Sequence, residues 1–60
     1  MKRILLVDDD LILNVLHREV IRKVAPDAEV TILNSSVQGL EHIKSLLASG
    51  AELPDLIFLD

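Results

Sequence analysis

The chain has 60 residues, half of them apolar, with ten acidic against six basic side chains, a net charge of −4 and no cysteine. So short a chain buries only about 60% of its unfolded surface, and without cysteine it has no disulfide staple, no thiol chemistry and no thiolate-bound zinc. The apolar content excludes a disordered tail. With Phe58 as the single Phe, Tyr or Trp, the core is aliphatic, of a size that rarely contributes more than about 3–5 kcal/mol without disulfides, metal or a partner.

Ile4, Leu5, Leu6 and Val7 form a continuous apolar run, the pattern of a central parallel strand covered on both faces. Asp8, Asp9 and Asp10 end it, and Asp10 is placed to cap the following helix, whose positive dipole end favours acids. The next segment, LILNVLHREVIRKV, is helical by period. Leu13, Leu16, Val20 and Val24 recur at spacings of three and four with Ile21 on the flank, which predicts them as the inward face. Arg18, Glu19, Arg22 and Lys23 fall mostly opposite, and Pro26 stops the helix.

A second strand runs from Ala28 or Glu29 to Leu33. Val30 and Ile32 alternate with Glu29 and Thr31, the signature of an edge strand with one apolar face. Asn34, Ser35 and Ser36 supply turn and capping chemistry. A second helix follows from about Val37 to Ala48, expected to bury Val37, Leu40, Ile43 and Leu47. Gly39 inside it costs roughly 0.5–1 kcal/mol relative to Ala, which predicts a close neighbour. Ser49 and Gly50 end that helix. AELPD then leads into LIFL, Leu56 to Leu59, predicted as a third strand buried on both faces, and Asp60 follows.

The alternation of strand and helix predicts an α/β unit with parallel crossovers and no internal repeat. In such sheets ligands bind beyond the carboxyl ends of the strands, where strand order reverses. If the first and third strands are neighbours, Asp8, Asp9 and Asp60 share one crevice. Like charges held close disfavour ionisation unless a cation sits among them. Hard oxygens of this kind suit Mg²⁺, which takes one or two carboxylates and keeps its affinity for phosphate. An aspartate beside that ion is a competent nucleophile toward phosphorus.

KRILLVDDD before a helix, and PDLIFLD some fifty residues later, together resemble the receiver domain of bacterial two-component response regulators. The resemblance implies a flavodoxin-like, chemotaxis-regulator-like doubly wound sheet, of which residues 1–60 would be the first half, with strand order 2-1-3 and truncation at the phosphoacceptor strand. It implies that Asp60 is the phosphoacceptor, that Asp9 binds Mg²⁺ directly, and that Asp8 acts beside it, often through water. Asn14 falls where the family's side chain can overlook the site. The implied donor is a sensor histidine kinase or a histidine phosphotransfer protein, the implied setting a phosphorelay in the cytoplasm, and the protein a phosphoacceptor rather than an enzyme. The family's Ser/Thr after strand four and Lys after strand five have no counterpart in these 60 residues.

Plainer readings stand beside these. DDD is also an ordinary solvated helix start. PDLIFLD also fits the strand-plus-acid element of a P-loop NTPase, but there is no GxxxxGK[ST]. Asp8 and Asp10 form a D-x-D like that of haloacid-dehalogenase-like phosphatases, yet Leu11 and Ile12 follow where a small or hydroxyl residue is wanted. His17 and His42 are expected at the surface, facing neither strand exit. Lys2, Arg3, Arg18, Arg22, Lys23 and Lys44 form no stripe interleaved with aromatics, so no nucleic-acid contact is expected. No apolar stretch approaches the roughly 20 residues that span a bilayer, and Ile4 to Val7 is too short for a secretory signal. A rival from another class is a structural fragment that self-associates through the third strand, because an unpaired apolar edge is a template for a further strand.

Overall fold

The computed structural model describes residues 2–59. It contains β1 (Arg3–Val7), α1 (Leu11–Val24), β2 (Glu29–Leu33), α2 (Ser36–Ser49) and β3 (Leu56–Leu59). The strands form one parallel sheet in the order β2-β1-β3, so the chain is an α/β unit with β1 at the centre. Ile4, Leu5, Leu6 and Val7 are all buried, because a central strand meets a neighbour on each edge and a helix over each face. Ile4 and Leu6 share an apolar face with Leu56, Phe58 and the α1 side chains, while Leu5 and Val7 face α2 together with Ile57 and Leu59.

The helix ends follow the sequence chemistry. The Asp10 carboxylate accepts from the backbone N–H of Ile12 at 3.0 Å and of Leu13 at 3.1 Å. These two donors have no partner within the helix, and capping satisfies them. Ser35 Oγ accepts from the Gln38 N–H at 3.2 Å, and Gln38 Oε1 accepts in return from the Asn34 N–H at 3.0 Å. That is a capping box displaced by one residue at its return arm. Gly50 closes α2 in the left-handed region at φ 70°, a conformation that glycine adopts without a Cβ penalty.

Two expectations about burial are corrected. β3 is not covered on both faces: Leu56, Ile57, Phe58 and Leu59 are between 46% and 70% exposed, because β3 pairs with β1 on one side and with no strand on the other among the described residues. The helix stripes are also rotated. In α1 the buried residue is Asn14, whereas Leu13, Leu16, Val20 and Val24 are exposed. At 3.6 residues per turn, Leu13, Val20 and Val24 lie about a quarter turn from the Asn14–Ile21 line, overhanging β3. In α2 the buried residue is Gly39, with Ile43 half-buried and Val37, Leu40 and Leu47 exposed. The helices thus sit on β1 through an amide, Asn14, and a glycine, Gly39, rather than through a large apolar side chain, and direct much of their apolar surface past the β3 edge.

Candidate functional site at the carboxyl ends of β1 and β3

Val7 is the register partner of Leu33 on one side and of Leu59 on the other. Asp8 continues the ladder for one more step, its N–H donating to the Leu33 carbonyl at 3.1 Å. This holds Asp8 in the sheet and leaves it only 6% exposed. One carboxylate oxygen of Asp8, Oδ1, accepts from the Asp10 N–H at 2.9 Å, so the Asp8 side chain folds back over the turn that leads into α1. Asp9, at the crest of that turn, is exposed. Asp10 is occupied with capping, as its position in the sequence implies. Asp60 follows Leu59 in the chain and lies outside the described residues.

The floor of this turn is polar. Asn14 is 2% exposed, and its Nδ2 donates to the Asp8 carbonyl at 2.9 Å. Its Oδ1 has no hydrogen-bond partner, the one such buried side-chain atom among the described residues. Asp8 and Asn14 line a cavity of about 240 Å³ together with Leu13, His17, Phe58 and Leu59. His17 stacks on Phe58 at a centroid distance of 6.5 Å and an interplanar angle of 28°. The expectation that His17 faces neither strand exit is therefore corrected. Spaced three residues from Asn14, it lies on the same side of α1, and that spacing was the signal available in the sequence. His42 borders a groove with Arg3, Glu29 and Thr31 near the amino ends of the strands, away from the acids.

Carboxylate oxygens are the donor class that a hard divalent cation takes. Asp8 and Asp9 place two carboxylates on adjacent residues of the turn, the first buried and the second exposed. Mg²⁺ characteristically uses one or two carboxylates and fills its remaining positions with water and phosphate oxygens. Among the described residues no group of three or more His, Cys, Asp or Glu side chains gathers to hold a metal ion. No helix of the described residues is long and apolar enough to cross a membrane. Comparison of the chain with protein-family models, with curated proteins and with solved structures found no match.

Proposed function

We propose that this chain belongs to a receiver-type phosphoacceptor of flavodoxin-like architecture, in which Asp60 takes a phosphoryl group from a phosphohistidine on a cytoplasmic histidine kinase or phosphotransfer protein. The observation that carries the reading is the pairing of Val7 with Leu59, since each is followed in sequence by an aspartate, Asp8 or Asp60. A buried acid leaving the central strand and an acid following its neighbour suit the crevice where parallel α/β sheets bind ligands.

In this reading a carboxylate oxygen of Asp60 attacks phosphorus in line. The new O–P bond forms as the P–N bond breaks, and the electron pair leaves with the imidazole, neutral because its other nitrogen carries the proton. Asp9, exposed at the turn, and Asp8, held beneath it, are the residues that would hold Mg²⁺ with Asp60. An ion bound there would supply charge neutralisation for the transferring group. The Asp10 N–H fixes the Asp8 carboxylate, and the Asn14 amide fixes the Asp8 carbonyl, so the turn is shaped before the donor arrives. Intact mass after exposure to acetyl phosphate and Mg²⁺ tests the reading. One added phosphoryl group, lost in Asp60→Asn and on omission of Mg²⁺, is the expected result, and an unchanged mass rejects it.

A second reading rests on a different observation, the exposed apolar edge of β3 beneath overhanging helices. It makes the chain an interaction module that pairs with another copy through Leu56–Leu59. Sedimentation across a concentration series decides this. Association that disappears in Ile57→Lys supports it, and a monomer throughout the series removes it.

A further inference from the structure

Asn14 and Ile21 lie two turns apart on the line along which α1 meets the sheet, and they differ in kind. Ile21 is the aliphatic residue that such a position ordinarily carries. Asn14 is an amide, only 2% exposed. Its Nδ2 donates to the Asp8 carbonyl at 2.9 Å, while its Oδ1 is buried with no hydrogen-bond partner. A buried acceptor without a donor forfeits its hydration and recovers nothing. One end of the amide is therefore unfavourably placed, and the single bond at the other end is what holds it there. Breaches of a local packing rule are expected at functional sites.

The geometry at stake is that of Asp9. A peptide unit is planar, so the direction of the Asp8 carbonyl fixes the plane that also carries the Asp9 nitrogen. Two further bonds hold the turn, from the Asp8 N–H to the Leu33 carbonyl and from the Asp10 N–H to Asp8 Oδ1. Neither involves an atom of that peptide unit. Asp9 is exposed and takes its direction from the main chain on either side. Resting on the phosphoacceptor reading, we infer that Asn14 is a positioning residue for Asp9. Through the Asp8 carbonyl it sets the direction in which Asp9 leaves the sheet, and it does so at a cost in stability.

The test compares wild type, Asn14→Leu and Asn14→Ala as full chains, by urea denaturation, by amide hydrogen exchange and by the rate of phosphoryl uptake from acetyl phosphate with Mg²⁺. Asn14→Leu is expected to keep or raise the urea midpoint. Its Asp10 amide is expected to lose protection while its Asp8 amide, bonded to Leu33, keeps it. Uptake is expected to slow by roughly tenfold to a hundredfold, the order of effect of a small misplacement of a reacting group. Asn14→Ala removes the donor without adding bulk and must slow uptake likewise. A lower midpoint or a failure to fold in Asn14→Leu makes Asn14 an ordinary structural residue and overturns the inference. Equal loss of protection at Asp8 and Asp10 overturns it too, as does normal uptake in either variant. Wild type that takes up no phosphoryl group defeats the phosphoacceptor reading instead. The midpoint and the exchange pattern then decide alone whether Asn14 directs the turn.

Discussion

A Cβ placed on Gly39 would lie 3.1 Å from Cγ2 and 3.3 Å from Cγ1 of Val7, so α2 rests on the central strand through a contact that glycine alone makes without displacement. The atoms in the way are the methyls of one side chain, and they border a cavity of about 220 Å³ lined by Leu5, Leu40, Ile43, Ile57 and Leu59. Val7 therefore has room to give. Gly39→Ala is expected to keep stability within about 1 kcal/mol, the gain in helix propensity offsetting the contact. Gly39→Val, larger and β-branched, is expected to cost about 1–3 kcal/mol. Urea denaturation of the two variants checks this, and equal losses would mean that Val7 cannot move.

Asp10 holds two helical N–H groups with one carboxylate. Asp10→Ala is expected to lose about 1 kcal/mol of stability, within the range for N-cap removal, while Asp10→Asn and Asp10→Ser stay close to wild type. Thermal melts in the absence of divalent ions measure the effect without interference from metal binding. A stable Asp10→Ala would show that water serves those donors equally well.

Asp55 anchors the start of β3 from both of its ends. Its carboxylate Oδ2 accepts from the Arg3 N–H at 2.8 Å, and its own N–H donates to the Arg3 carbonyl at 2.8 Å. Asp55→Ala keeps the second bond and loses the first. Since β3 has a paired neighbour on one side alone, the expected result is faster amide exchange along Leu56–Leu59 with β2 unaffected. Exchange that rises equally in β2 would show that the sheet opens as one unit.

The Arg3 guanidinium reaches toward Glu52 at 3.7 Å and Glu29 at 3.9 Å, with all three side chains well exposed. Exposed pairs of this kind contribute about 0–1 kcal/mol and weaken with salt. Glu52→Gln is expected to shift stability by less than about 1 kcal/mol at low salt and by nothing measurable in 0.5–1 M NaCl, where the Debye length is only a few ångströms. A larger, salt-independent loss would assign Glu52 a role beyond its charge.

The parts legible in the sequence were those set by local rules. The Ile4–Val7 run, the Asp10 and Ser35 caps, the Gly50 terminus and the tight fit at Gly39 each follow from a residue and its near neighbours. What escaped depends on how wide the sheet is. Periodicity identified the apolar stripe of α1 correctly, but a stripe specifies a direction only relative to what lies beneath it. Among the described residues the sheet is three strands wide, so Leu13, Val20 and Val24 extend past β1. Asn14 was legible as a residue near the site through the resemblance alone. Its burial follows from the Asp8 carbonyl, a main-chain partner that no hydropathy pattern reveals. His17 is at the surface as its neighbours Arg18 and Glu19 imply, but the side it faces escaped, because its ring stacks at 6.5 Å with Phe58 from a strand some forty residues away.

On its β2 side the sheet ladder runs one residue past β1, through the Asp8 N–H. Two chemically identical neighbours consequently differ in freedom. Asp8 is bound to the sheet by its N–H, to α1 by its carbonyl and to the helix start by its carboxylate, so it has little rotational entropy left to lose. Asp9 retains most of its own. A guest held between them would immobilise one side chain rather than two, and it would meet a fixed reference on one side and a compliant arm on the other. Such a pair would accommodate guests of different size without deforming the strand that bears it.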